Sequence, residues 1–334
     1  MTTLAEAPAS WPLLAHSVFT AQESFEITKL FKEADQCHGW KILPFLDGED
    51  DLWKSHANAL AAVVNESGVP PMAVYSTCIL PKQINEPALD WVLERVASAF
   101  AARLNRHPSD LFPSTAKSLR RRLEMILMHE FTTGQYFGWH MDTKRAPKGY
   151  GETGRAYAIN VMLSEPEVNF LGGTLHVGGA SLSVHQGDLY LYPSNLPHRV
   201  TPVTDGMRHT LVLQLNDPEP FYPSWEEYYN DAERRMADWI RPGGALAGAA
   251  GVHLLHAQVL SRQGRSEAQI DEAMCACYAS ETAASPMKLA EHLAASGQTQ
   301  LARCVEDRVR PSTSLPKRKP RARKRKHRAP RDEL

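Results

Sequence analysis

His140 and Asp142 stand two residues apart in QYFGWHMD. On an extended strand alternate side chains share a face, so this spacing aims an imidazole and a carboxylate the same way. A second imidazole, His198 in PSNLPHRVTPV, opens a later strand after a Pro-rich turn. Two histidines and one carboxylate on one face of an ion leave the other coordination positions open, the arrangement of a non-heme iron(II) oxygenase site. An H-x-D alone is a weak signal in a chain with 14 histidines. Its weight comes from the order of the downstream segments: FLGGTLHV, then GDLYLYPSNLPH, then an arginine ten residues beyond His198.

That arginine is Arg208, in DGMRHTLVLQL. Turn signals at Asp205 and Gly206 predict that it begins a strand. A guanidinium there can grip a carboxylate in a two-pronged ion pair. 2-Oxoglutarate needs such an anchor: its keto acid end chelates iron, and its distal carboxylate must be held farther off. Thr210 shares a strand face with Arg208 and offers a hydroxyl.

The elements that must position these groups fall into four segments. Residues 1–118 read as supporting helices with one strand: EITKLFKEA, LWKSHANALAAVV and PALDWVLERVASAFAARL have helical periodicity, and AVYSTCIL is β-branched. Residues 119–220 switch to period two, with eight short strands from RLEMILMHEF to RHTLVLQL and no helix between them. That pattern predicts a mainly β core, an antiparallel sandwich or jelly roll, with flanking helices. Residues 221–310 return to helices, with a small, Gly-rich linker or hinge at 241–251 (RPGGALAGAAG). A helical segment packed on the sheet and a protein-interaction module fit the remainder equally. Residues 311–334 are a basic tail with few apolar residues, expected to be disordered.

The stretch that includes FTTGQYFGWHMD, FLGGTLHV, GDLYLYPSNLPHRVTPV and GMRHTLVLQL resembles the catalytic domain of iron(II)/2-oxoglutarate dioxygenases, in particular the prolyl 4-hydroxylase-like branch. The resemblance covers about a third of the chain. It implies a double-stranded β-helix, iron(II) on His140, Asp142 and His198, and the co-substrate carboxylate on Arg208. It also implies oxidative decarboxylation of 2-oxoglutarate to succinate and CO₂ with O₂, often sustained by ascorbate (vitamin C). Asp142 favours hydroxylation or demethylation, because halogenating relatives carry a small residue there. Two phenols of the family are absent: Phe131 and Met162 stand where relatives use Tyr. Asn160, on the face of Met162, is a candidate to supply a polar contact or to satisfy the backbone. The first substrate expectation is a protein side chain such as prolyl. The alternatives are oxidative demethylation of nucleic acid, hydroxylation of a small molecule, and a catalytically silent binding module of the same fold.

Lesser features carry two readings each. TKRAPKGYGETGR (143–155) is either a lid whose Lys144, Arg145 and Lys148 meet substrate or a solvated loop. Gly172 and Gly173 suit a tight turn or bulge. His129, His176, His185 and His209 read as structural, and Tyr190 and Tyr192, which share one face of their strand, read as core packing in preference to cavity lining.

Bulk properties bound the rest. A hydrophobic fraction of 43% and a charged fraction of 22% describe a globular chain. No apolar run approaches the roughly 18–20 residues that span a bilayer, so no membrane partner is expected. Five cysteines are few and odd in number, which favours free, buried thiols and a reducing compartment over disulfides. C-x-C at Cys275 and Cys277 is a weak zinc signal. The net charge of −1 combines an acidic body with a tail of ten Lys/Arg against Asp332 and Glu333. The tail reads as a nuclear-import signal or as an arm that binds nucleic acid or an acidic protein. The expected location is cytoplasmic or nuclear. The terminal RDEL is not read as an ER signal, since the WPLLAHSVF region makes a poor secretory leader.

Overall fold

The structure, a computed structural model, describes residues 11–34, 38–42, 73–79, 87–142 and 155–309, apart from short gaps within the last two stretches. The expected helix at 52–64, the 143–154 part of the expected lid and the basic tail lie outside the described residues.

Eight strands form the core: β4 (Leu123–Thr132), β5 (Tyr136–His140), β6 (Tyr157–Met162), β8 (Leu175–Val177), β9 (Ala180–Leu182), β10 (Leu189–Pro193), β11 (His198–Val200) and β12 (Val203–Leu215). A short β7 (Phe170–Gly172) lies beside the start of β12. One layer runs β4-β12-β6-β10, which are the first, eighth, third and sixth core strands. The other runs β5-β11-β8-β9, the second, seventh, fourth and fifth. Alternate delivery of antiparallel strands to two facing layers is the double-stranded β-helix, as expected.

Before the core the sequence predicts one strand, whereas three are found among the described residues. β1 (Leu13–Ala15) pairs with β10, and β2 (His38–Ile42) pairs with β3 (Ala73–Ile79). β3 in turn pairs with both β4 and β5, joining the two layers along one side. β1 has only three residues, too few to show a periodicity.

The first layer is buried on both faces. Its outer face carries Ile126, Met128, Ile159, Val161, Leu189, Leu191, Leu211 and Leu213, in one cluster with Ile27 and Phe31 of α1 (Ala21–Ala34) and Val92, Leu93, Val96 and Phe100 of α2 (Asp90–Arg103). Helix α3 (Thr115–Arg122) leads directly into β4.

β12 differs from expectation. Asp205 and Gly206 do not form a turn before it; the strand starts at Val203, pairs with β7, and then continues between β4 and β6. Gly206 makes this possible. Its φ is +78°, and a Cβ there would meet the Asn169 carbonyl oxygen at 2.2 Å. The turn-type residues therefore mark a bend within a strand.

Beyond the core, α4 (Trp225–Ile240) starts at a capping serine, Ser224, whose Oγ accepts from the Glu227 amide. In the 241–251 stretch the backbone turns back on the end of α4. Gly244 N–H donates to Arg241 O and Leu246 N–H to Trp239 O, and the Trp239 ring lies against Gly178 and Gly179. Next come α5 (Ala250–Arg262), α6 (Glu267–Tyr278), α7 (Pro286–Ala295) and α8 (Thr299–Val309). Helix α5 serves two cores. Leu255 and Val259 join the main cluster, while Ala257 and Leu260 join a second one with Ile270, Leu293, Leu301 and Val305. The helical segment therefore packs on the β core.

One cysteine expectation is corrected. Cys275 of α6 and Cys304 of α8 form a disulfide, with Cα atoms 5.9 Å apart. Cysteine number alone did not show that two distant positions on adjacent helices meet.

Candidate active site

β5 and β11 are neighbours in antiparallel register, and His140 and His198 are directly opposed. Pairing across a sheet puts opposed side chains on one face, and their rings lie 4.0 Å apart. Asp142, just past the end of β5, completes the group: its Oδ1 is 3.6 Å from His140 Nε2 and its Oδ2 is 3.5 Å from His198 Nε2. Among the described residues these three form the one group of His, Cys, Asp or Glu able to hold a metal ion.

Each imidazole is fixed by its other nitrogen. His140 Nδ1 is 2.8 Å from Gly138 O and His198 Nδ1 is 2.9 Å from Leu196 O. A carbonyl only accepts, so Nδ1 carries the proton and Nε2 presents its lone pair, the tautomer a metal requires. Phe137 stacks on His140 at 3.5 Å. Burial raises the Asp142 carboxyl, but His198 and His140 outweigh it and hold the group well below the usual carboxylate range. Burial and the neighbouring His198 lower the His140 imidazole, against the pull of Asp142. The site thus brings one carboxylate together with two imidazole Nε2 atoms.

The facing layer supplies the other half of the cavity. In register, Phe131 opposes Arg208, His129 opposes Thr210, and Thr210 opposes Met162. Asn160 opposes both Val212 and Tyr190, and Tyr192 opposes Ala158, which opposes Gln214. Arg208, Thr210, Asn160, Tyr190, Tyr192 and Gln214 therefore share the inner face, all of them buried. Arg208 is 1% exposed and lies over the Phe131 ring at 5.4 Å, yet its Nε and Nη2 have no hydrogen-bond partner among the described residues. Thr210 Oγ1 and Asn160 Nδ2 are equally unpartnered. A buried cation with open donors is costly unless an anion completes it. Gly173 makes room for it: a Cβ there would meet Arg208 Cδ at 2.9 Å.

Tyr190 and Tyr192 are more than packing. The Tyr190 hydroxyl lies beside Arg208 and Thr210, and that of Tyr192 beside Asn160, within electrostatic reach of Asp142. Burial raises both phenols, so they stay protonated donors.

Three further residues of the site are not assigned from the sequence. Gln214 donates from Nε2 to Asp142 Oδ2 at 2.7 Å. Its parity with Arg208 and Thr210 was the available signal. His129, read as structural, borders Asp142, Arg208, His140 and His198; burial pushes its imidazole down to about 3, so it is neutral. Tyr228 hydrogen-bonds the segment before His198 and had no sequence signal. His209 keeps its structural reading: it bonds Glu130 at 2.9 Å on the other face. His185 is also outside the site, paired with Glu165 at 3.0 Å. Arg155, at the end of the expected lid, is held by Glu124 through Nε at 2.9 Å and Nη2 at 3.1 Å, and so is not free to meet substrate.

Residues 125–215 match the family model of the 2OG-Fe(II) oxygenase superfamily. A PKHD-type hydroxylase of Shewanella sp. (strain MR-7) is 35% identical over 130 residues, 38% of this chain and 56% of that protein. Another, from Synechococcus sp. (strain CC9605), is 26% identical over 59% of this chain and 88% of its own length. The chain thus spans about half the length of the first of these curated relatives. A crystal structure of a Pseudomonas putida prolyl-4-hydroxylase aligns over 61% of this chain and 91% of that one, at 14% identity and a TM-score of 0.37.

Proposed function

We propose that this chain, whose residues 125–215 match the family model of the 2OG-Fe(II) oxygenase superfamily, hydroxylates a C–H bond of a protein side chain, prolyl being the first to test. The observation that carries the reading is a pairing across one cavity. Two imidazole Nε2 atoms converge on the Asp142 carboxylate from one layer, and the buried Arg208 guanidinium offers open donors from the other.

The residues fit both groups the family uses. His140, Asp142 and His198 would hold iron(II), a donor set of two nitrogens and one oxygen suited to that ion. Arg208 would take the distal carboxylate of 2-oxoglutarate in a charge-assisted pair, with Thr210 and Asn160 adding their unpartnered groups. When bound, iron(II) and 2-oxoglutarate supply with O₂ the oxidising power for C–H hydroxylation, giving succinate and CO₂. The protein's own part is to bind, orient and exclude water. The Gly138 and Leu196 carbonyls fix the imidazoles. Tyr190 and Tyr192 present neutral hydroxyls, which stand in for the phenols absent at Phe131 and Met162. Retention of a carboxylate at Asp142 favours hydroxylation over halide chemistry.

The test is succinate release from 2-oxoglutarate with iron(II) and ascorbate, alone and with prolyl peptides, oligonucleotides and metabolites. Peptide-stimulated release with a peptide product heavier by one oxygen atom supports the proposal. Stimulation by methylated oligonucleotides or by a metabolite replaces the protein substrate with that one. No release and no iron binding leave the silent module.

A further inference from the structure

We propose that Tyr228, on helix α4 beyond the matched oxygenase segment, is a positioning residue for the metal centre. The inference rests on the metal reading of His140, Asp142 and His198.

The connection between β10 and β11, residues 194–197, is where the geometry of that centre is set. It touches two of the three proposed ligands through its carbonyls. Asp142 N–H donates to Ser194 O at 2.8 Å, and His198 Nδ1 donates to Leu196 O at 2.9 Å. Between those two carbonyls lies Asn195, 1% exposed. An irregular segment that orients two ligands must itself be held.

Tyr228 holds it at Asn195. The Tyr228 hydroxyl accepts from the Asn195 N–H at 3.1 Å and donates to Ala156 O at 2.7 Å. Ala156 O also accepts from Ser194 N–H at 2.8 Å, so hydroxyl and segment meet on one carbonyl. Asn195 Nδ2 then donates to the Tyr228 carbonyl at 3.2 Å, a second tie to α4. All of this is buried: Tyr228 and Ser194 are 0% exposed. Removing the hydroxyl strands the Asn195 N–H in a closed interior. The segment must shift to satisfy it, and both carbonyl contacts to the ligands shift with it.

Packing alone would explain an aromatic ring here, but not the hydroxyl. The Tyr228 ring meets Tyr157, Tyr222, Trp225 and Tyr229 at centroid distances of 5.2 to 6.2 Å. Phenylalanine would keep those contacts. Tyr222 provides the internal control: it sits in the same cluster, but its hydroxyl donates to Asp231 at 2.5 Å rather than to the segment.

The experiment titrates cobalt(II) into the full chain without 2-oxoglutarate, following the visible absorption of the bound ion, for wild type, Tyr228→Phe and Tyr222→Phe. Tyr228→Phe should weaken cobalt affinity about tenfold with far-UV circular dichroism unchanged, and Tyr222→Phe should stay within twofold. Asn195→Ala cuts the second tie from the other side, and a loss of several-fold is expected there even if Tyr228→Phe does not fold. Unchanged affinity in both Tyr228→Phe and Asn195→Ala overturns the inference, as does equal loss in Tyr222→Phe. A wild-type chain that binds no cobalt overturns the metal reading and the inference with it. Binding that is merely indifferent to these substitutions overturns the inference alone.

Discussion

Gln214 Nε2 donates to Asp142 Oδ2 at 2.7 Å, and Gln214 Oε1 accepts from Ser194 Oγ at 3.5 Å. One side chain on the layer carrying Arg208 thus orients the carboxylate that sits beside the two imidazoles of the other layer. This hydrogen bond leaves Oδ1 on the His140 side and fixes the plane of the carboxyl group. Gln214→Leu keeps the volume and removes the donor. Expected is a 10- to 100-fold loss of metal affinity, of the order seen for partners of metal ligands, with little change in the midpoint of thermal unfolding. Cobalt titration and a thermal melt on the same sample check this.

Arg208 should divide co-substrate binding from metal binding. Arg208→Ala removes a buried, charge-assisted anchor, so about 2–3 kcal/mol of 2-oxoglutarate affinity should go, roughly 30- to 150-fold. Metal affinity should stay, since Arg208 touches none of the three ligands by hydrogen bond. Gly173→Ala should act in the same direction but more weakly, because its new methyl would press on Arg208 Cδ. Calorimetric titration of 2-oxoglutarate into the cobalt-loaded variants measures both. Equal loss of cobalt and 2-oxoglutarate would contradict the assignment.

The legibility of this site in the sequence follows its physics. His140, Asp142, His198 and Arg208 were readable because their spacing is local or their residue type is rare in strand interiors. Gln214 and His129 also left a trace, at even spacing from Arg208 and Phe131, but a polar residue in a strand has many bland explanations. Tyr228 was not legible at all. Its contact to Asn195 spans a sequence separation of 33 and is set by how α4 folds back on the core. The same limit explains β1, too short for a pattern, and Cys275 with Cys304, whose meeting depends on helix packing. Asp205 and Gly206 misled for a different reason: turn residues also serve a bend within a strand.

Acid sensitivity should be traceable to Glu130. Its hydrogen bond from His209 and its contacts with Lys32 hold the carboxyl down at about 2, against an ordinary value near 4.5. A depressed carboxylate contributes stability that is fully present above the unfolded pKa and is lost as pH falls through the folded one. The window is therefore from about pH 4.5 down to about 2. Glu130→Gln should cost about 1 kcal/mol at neutral pH, allowing for solvent screening, and the gap to wild type should close across that window. Urea unfolding at a series of pH values tests this; a gap constant with pH would show that packing, not charge, accounts for the loss.

The Cys275–Cys304 disulfide should stabilise the helical segment without reaching the active site. It closes a sequence separation of 29, for which loop entropy gives about 3.6 kcal/mol. Cys275 is fully buried with Ala273, Leu293, Leu301 and Val305, in the second cluster rather than the main one. The paired substitution Cys275→Ser and Cys304→Ser, or reduction, should therefore lower the unfolding midpoint of α6–α8 and leave cobalt affinity within twofold. Helix α5 makes that separation a real question, since Leu255 and Val259 join the main core while Ala257 and Leu260 join the second. If the two clusters melt as one unit, reduction will shift the single transition; if α5 merely tethers them, a second, earlier transition will appear. Differential scanning calorimetry with and without reductant separates the two, and loss of cobalt affinity on reduction would show that the helical segment supports the metal centre through α5 as well as through Tyr228.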